Sequence, residues 1–425
     1  MFGVTIPPMR LRRSNKLAWL VVPVLILLSW LVYQLPPVHQ RLSWRLDLAQ
    51  TYVRGVIHPA GPLPTSKPQP TQTLGVMPSP TVSPIPLTPT PTVVGPTETP
   101  LPSPTAIPAS VALAAPEYVK QDPNNCGPAS LAMYLKYYGW DGTQGDIAQV
   151  VKPLDADRNV NPDELAYYVR NYAGWLNAEF RVGGDIVLLK HLLAAGFPVI
   201  IEESFFFEEP FWPNDDLWAA HYLLLTGYED ATQTFTGQDS FHGPDQKVAF
   251  KTLDTGWKIF NRVYLLVYPP TQENTVKAIL GGEWDGTANR QHALVTAQAE
   301  ALKDPLDAFA WFNIGSNQVF FERYAEASEA YDKARNLGLP QRMLRYQFGP
   351  FLAYFHSGRM DDLMALVDYA LQRTPNSEEA LVWKGWGLYR QGDTIGAIEN
   401  FRKALEANPT GTDARYALDF LGAAP

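Results

Sequence analysis

The chain has 425 residues and a formal net charge of -9, but residues 1–16 carry Arg10, Arg12, Arg13 and Lys16 with no acid, which leaves -13 for the remainder. That length supports two or three domains with cores of their own, and the absence of any basic footprint disfavours binding to DNA or RNA. Cys126 is the one cysteine, so no disulfide can form within the chain.

Residues 17–33 (LAWLVVPVLILLSWLVY) form an uncharged apolar run near the lower limit for a membrane-spanning helix, with cations on the N-terminal side. The expectation is a transmembrane anchor over 17–34, a cytoplasmic basic tail over 1–16, and extracytoplasmic domains beyond. A cleaved signal peptide is the competing reading, but no small-x-small cleavage site follows the run. Within 35–60, Leu42, Leu46, Ala49 and Val53 share one helical face, which fits either an amphipathic helix on the membrane surface or a short linker helix. From 61 to 112 proline and threonine dominate with almost no charge. Such a composition cannot build a core and predicts a disordered or polyproline-II stalk, reaching roughly 150 Å at most when fully extended. The domain that follows would be tethered yet mobile.

An α/β region is expected over 113–272. A turn-forming run, Asp122 to Asn125, leads into Cys126; Gly127 and Pro128 then open a helix in which Leu131, Ala132, Leu135 and Tyr138 recur at helical spacing. Unpaired N–H groups and the helix dipole favour a thiolate at such a start; the alternative is a small buried apolar side chain. Residues 161–173 read as a second helix with Asn161 as cap and Pro162 at its first position, and Asp185 to Ala195 as a third, ended by Gly196. Strands are predicted at Phe197 and the VII run, at HYLLLTGYED from His221, at 233–238 and at 262–268. A helical half thus carries the cysteine and a sheet half carries His221. Between the strands, 203–220 (ESFFFEEPFWPNDDLWAA) is expected as an acidic, aromatic loop, either one wall of a cleft for cationic or aromatic ligands or an insertion whose aromatics pack on the domain itself.

After Pro270 the pattern turns helical and repeats itself. Trp311, Gly315, Ala327, Tyr331 and Ala334 align with Gly385, Ala397, Phe401, Ala404 and Pro409, and a middle copy has Tyr354, Val367, Ala370 and Pro375. The spacing of 34 residues from Pro375 to Pro409 is the tetratricopeptide period. Three such repeats meet the usual minimum for a stable stack. An all-α tetratricopeptide superhelix over 285–425 is therefore expected, with Pro340 one position late in the first copy and 411–421 as the cap.

A thiol nucleophile needs a base and a group that orients the base. His221, opening an apolar strand, and Asp239, following the next strand after a Gly237 turn, are the candidates; each alone also reads as a satisfied strand-end histidine or a solvated turn aspartate. In combination, Gln121 five residues before Cys126, the CGPASLAMYLKYYG helix, the HYLLLTGYED strand and the aspartate after the following strand resemble the C39-like cysteine peptidases, which are papain-like in fold. The resemblance runs from Ala115 to Pro270. It implies an α+β papain-like domain with Cys126 as nucleophile, His221 as general base and acid, and Asp239 orienting the imidazole. Gln121 would donate to the oxyanion together with the backbone N–H of Cys126. Gln238 and Ser240 stand where the family often has Asn-Asp-Pro, and Asp245 and Asp230 are the alternative orienting carboxylates. The family's best-known members sit on peptide-exporting transporters, whereas these residues include neither an ATPase nor a multi-span region, so the leader-peptide substrate is not carried over.

The expectation is a multidomain, membrane-anchored, extracytoplasmic cysteine peptidase that hydrolyses peptide bonds in a peptide or protein substrate, with a repeat groove that recruits substrate or a protein partner. The rivals are a non-hydrolytic peptide-binding module on a repeat scaffold of an envelope complex, and a thiol-dependent acyltransferase. The seven histidines are scattered, with no His-x-x-x-His or Cys-x-x-Cys spacing, so neither metal nor cofactor is expected.

Overall fold

A computed structural model describes residues 16–59, 61–67, 107–154, 159–210 and 213–425. The expected basic tail up to residue 15, and the stalk over 68–106, lie outside the described residues. The chain divides into two compact units, the first holding helices α1 (Lys16–Tyr33) and α2 (Pro36–Ile57) and the second holding the sheet and all later helices. In α1 the apolar side chains from Val21 to Val32 are exposed, Ile26 at 64 %. On α2, Leu42, Leu46 and Val53 are exposed as well. Among the described residues no helix is long and apolar enough to cross a membrane; the side chains of residues 16–20, where α1 begins, are outside the described ones.

The second unit is built on one antiparallel sheet. Its strands are β1 (Ser110–Ala112), β2 (Asn177–Arg181), β3 (Val199–Phe206), β4 (Trp218–Glu229), β5 (Thr234–Asp239), β6 (Gly243–Ala249) and β7 (Tyr264–Tyr268). Their order is β2-β7-β3-β4-β5-β6, and β1 pairs with the end of β4. Residues of a strand alternate between faces, and both faces here are apolar. Ile200, Tyr222, Leu224, Leu265 and Val267 face one core with helices α3 (Cys126–Tyr137), α4 (Gln144–Val151) and α5 (Pro162–Tyr172). Val199, Ile201, Leu223, Leu225 and Leu266 face the other with α6 (Ile186–Ala194), α7 (Phe250–Lys258) and α8 (Glu273–Leu280). The predicted ends of two helices have physical causes: Glu164 accepts from the Asn161 N–H at 2.7 Å to open α5, and Gly196 closes α6 with a φ of +91°, open to glycine without strain.

Two expectations are corrected. Residues 203–220 are not one loop: β3 runs to Phe206 and β4 starts at Trp218, because Phe206 and Trp218 pair across the hairpin. The stalk does not begin at Gly61 either. Gly61–Lys67 lies ordered on the C-terminal helices, with Leu63 buried, and Ala112 to Ser110 continues the sheet.

Helices α9 (Gly286–Lys303), α10 (Ala308–Phe320), α11 (Tyr324–Leu337), α12 (Gly349–His356), α13 (Met360–Arg373), α14 (Glu378–Arg390), α15 (Thr394–Ala407) and α16 (Thr412–Phe420) follow. They are a tetratricopeptide-like series in which α10/α11, α12/α13 and α14/α15 are the pairs. A Cβ on Gly315 would stand 2.7 Å from the Tyr331 ring, and one on Gly385 would stand 2.5 Å from Phe401. Small residues at these positions are therefore what lets the paired helices close. The series is joined to the sheet domain by polar contacts: Lys258 with Asp307 at 2.5 Å, Arg262 with Glu300 at 2.7 Å, and Asn313 donating to the Lys258 carbonyl at 2.8 Å. Arg342, after α11, is buried and reaches Asp215 at 2.5 Å and the Trp218 carbonyl at 2.6 Å.

Candidate active site

Cys126 is the first residue of α3, and the turn ahead of it is held from α4. Gln144 accepts from the Asp122 N–H at 3.0 Å and from Asn125 Nδ2 at 2.6 Å, while its own Nε2 donates to the Lys120 carbonyl. Lys152, buried at the end of α4, donates to the Asn124 carbonyl at 2.8 Å. Asn124 takes a φ of +56°, a left-handed conformation that asparagine tolerates. The helix is set directly against β4: a Cβ on Gly127 would meet the Tyr222 ring at 3.3 Å, and Ser130 Oγ donates to the Tyr222 carbonyl at 3.1 Å.

His221, near the start of β4, lies close enough to the half-buried Cys126 for each to shift the titration of the other. His221 Nε2 lies 2.9 Å from Asp239 Oδ1. Asp239 is aimed by a local irregularity, since the β5–β6 register shifts between Gly237 and Asp239, a bulge of the kind that redirects side chains beside sites. The other two carboxylates are engaged elsewhere: Asp245 accepts from Gln238 Nε2 at 2.8 Å, and Asp230 pairs with Lys190 at 2.7 Å. Asp239 is thus the carboxylate on His221.

Gln121 is held by Ser240. Its N–H donates to the Ser240 carbonyl at 2.9 Å, and its Oε1 accepts from Ser240 Oγ at 2.9 Å. The oxygen end of the amide is therefore committed to Ser240, and Nε2 is its donating end.

Electrostatics favour an ion pair. Burial pushes the Cys126 thiol up, but the hydrogen bond and charge of His221, the Tyr222 backbone N–H and the charge of Lys152 outweigh it, and the net shift is downward. For His221, burial opposes the charged form, yet Asp239 and Cys126 together raise it to about 10. Burial would raise Asp239, but His221 and His242 hold it well below the usual carboxylate range. Glu202, buried on β3 and beside the thiol, is pushed well above the carboxylate range by burial and by Cys126.

Several residues around the site were not singled out by sequence. His242 Nδ1 lies 2.7 Å from Asp239 Oδ2, so the aspartate is shared by two histidines; the only sequence signal is its position three residues after Asp239. Phe205 packs its ring 5.5 Å from His221, 5.1 Å from Phe241 and 5.2 Å from His242. Lys152 carried no signal, because its nearness to Cys126 depends on how α4 folds back. Among the described residues no group of three or more His, Cys, Asp or Glu side chains is placed to hold a metal ion.

No curated protein matches the chain. Among solved structures, a Bacillus anthracis protein described as a C39-like peptidase is 19 % identical, with 37 % of this chain and 96 % of that chain covered and a TM-score of 0.30. A double-glycine-motif protease from an AMS/PCAT transporter, solved with the leader peptide, is 21 % identical, with 37 % and 94 % covered and a TM-score of 0.28. The tetratricopeptide protein YrrB, which has an unusual peptide-binding site, is 18 % identical, with 31 % and 84 % covered and a TM-score of 0.19. The model of the Peptidase_C39 like family matches residues 113–265, and that segment is a C39-like peptidase-family domain.

Proposed function

We propose that the chain is a cysteine peptidase in which Cys126 is the nucleophile, His221 the proton carrier and Asp239 the residue that orients it. The observation that supports this most is His221 Nε2 on Asp239 at 2.9 Å, in a histidine that also lowers the titration of Cys126. In the reaction, the Cys126 thiolate bonds to the scissile carbonyl carbon, and the oxyanion forms beside the Cys126 N–H and Gln121 Nε2. The C–N bond breaks as the His221 imidazolium gives its proton to the leaving amine. Water then attacks the thioester while His221 takes a proton, and the acid leaves as the thiolate is regenerated.

Helix α1, apolar and exposed from Val21 to Val32, serves in this reading as the membrane anchor, with the catalytic and helical domains outside the cytoplasm. The tetratricopeptide-like helices recruit the peptide or protein substrate, or a partner. A reporter fused after Pro425 is expected to be active outside the cytoplasm; cytoplasmic activity would overturn that topology. For the chemistry, the full chain is incubated with a peptide library beside Cys126→Ala. Cleavage by the first and none by the second is expected, and equal product from both would end the peptidase reading.

A further inference from the structure

Gly61–Lys67 is itself neither strand nor helix, and its polar contacts go to residues roughly 270–310 positions away. Tyr369 Oη donates to the Gly61 carbonyl at 2.8 Å. Arg335 gives Nε to the Pro64 carbonyl and Nη2 to the Thr65 carbonyl, both at 2.9 Å, and its Nη1 stays on Asp362 at 3.0 Å. Asp362 Oδ1 in turn accepts the Lys67 N–H at 3.1 Å, and Asn336 Oδ1 accepts the Ser66 N–H at 3.3 Å. A peptide presents carbonyls and, a residue or two on, N–H groups; the Arg335–Asp362 pair presents the complementary donors and acceptor side by side. Arg359, bonded to both Asp362 and Asp332, fixes the pair from below. Side-chain recognition is confined to three positions: Leu63 is buried, Ser66 Oγ meets Asn336, and Lys67 Nζ pairs with Asp361 at 2.8 Å.

The hydrogen bonds and the ion pair of the segment all fall on α11 and α13, the second helices of their pairs. We infer that this second-helix face is a binding site for an extended Leu-Pro-x-Ser-Lys peptide of another polypeptide, and that Gly61–Lys67 occupies it in cis as the resident ligand. Recognition runs mostly through the main chain, so the site admits any segment that supplies the leucine, the lysine four residues later and an extended backbone. Because it belongs to the same chain, the resident strap competes intramolecularly and sets the threshold that a partner has to exceed. This inference goes beyond the peptidase reading and does not depend on it, since binding is equally measurable in Cys126→Ala.

The test titrates a fluorescent peptide of residues 60–68 into the full chain and into a full-length Leu63→Asp/Lys67→Glu variant. Apparent affinity for the variant is expected to be at least about 10-fold tighter, because its site is vacated. A peptide carrying aspartate in place of the leucine is expected not to bind. Absence of saturable binding to the variant, or equal affinity for both proteins, would overturn the inference. Hydrogen exchange on the unaltered chain gives a readout free of folding effects: the Ser66 and Lys67 amides are expected to be protected, and to lose protection when millimolar peptide is added. Protection that persists under excess peptide counts against exchange of the strap.

Discussion

Nε2 of His221 lies 2.9 Å from Oδ1 of Asp239, which commits that nitrogen and leaves Nδ1 as the one that would serve the thiol in the proposed peptidase reaction. The same Oδ1 accepts the N–H groups of Phe241 at 2.8 Å and His242 at 3.0 Å, and Oδ2 takes the His242 ring. A carboxylate with this many donors is ionised over the whole useful pH range and rigid in orientation.

Asp239→Asn keeps the shape but removes the charge that raises His221. A loss of turnover on the order of 10²–10⁴, the range of a proton-transfer contribution, is expected. The stability effect has a definite sign. Asp239 is depressed in the folded state, so its contribution is present above its unfolded pKa of about 3.9 and fades as pH falls through the folded value. Melting curves of the variant and the parent are therefore expected to differ at pH 7 and converge under strong acid; a constant gap would refute the assignment.

The thiol is the more direct reporter. Its pKa is lowered while His221 is raised to about 10, so thiolate and imidazolium coexist between the two values. Iodoacetamide is expected to label Cys126 at pH 6 faster than an exposed model thiol. In His221→Ala the burial that pushes the thiol up remains and the main opposing influence is gone. Labelling at pH 6 is expected to slow by at least about 10-fold, the effect of one pKa unit on the thiolate fraction. Equal rates for the two proteins would remove the ion pair from the mechanism.

Much of this site was legible in residue order. Cys126 at a helix start, His221 near the opening of an apolar strand and Asp239 after the next one are local patterns, and local patterns survive folding. The β5–β6 register shift that aims Asp239 is not such a pattern, and neither is the return of α4 that delivers Lys152 to Asn124. Strand β2 was missed because NAEFR is short and its partner, β7, lies about 90 residues later. The strap was misread for a stronger reason. Proline-rich composition says that a segment cannot make its own core, and says nothing of whether Arg335 and Asp362 elsewhere are waiting for its carbonyls and amides.

In the proposed reaction Gln121 donates to the oxyanion, and Ser240 holds its amide oxygen at 2.9 Å. Gln121→Ala is expected to lower kcat by about 10²–10³, the effect of removing one oxyanion donor, with little change in KM. Ser240→Ala frees the amide to rotate without deleting it, so a smaller loss of kcat in the same direction is expected. Steady-state kinetics on one cleaved peptide checks both, and a change confined to KM would assign Gln121 to substrate binding instead.

Arg342 ties the helical series to the segment that leads into His221. Its guanidinium is buried, pairs with a fully buried Asp215 at 2.5 Å and donates to the Trp218 carbonyl, three residues before the histidine. Phe207 lies across it, with the guanidinium 5.2 Å from the ring centre. Breaking a buried ion pair by removing one partner is strongly destabilising, so Arg342→Ala is expected to cost about 3–5 kcal/mol in urea unfolding. Arg342→Lys should recover little, because an ammonium lacks the planar fork that reaches carboxylate and carbonyl together. Replacing both members with apolar residues, Arg342→Met with Asp215→Leu, is expected to restore most of the loss, since no charge is then left buried. If the double variant were no more stable than Arg342→Ala, the cost would belong to the lost carbonyl bond and ring contact rather than to the broken ion pair.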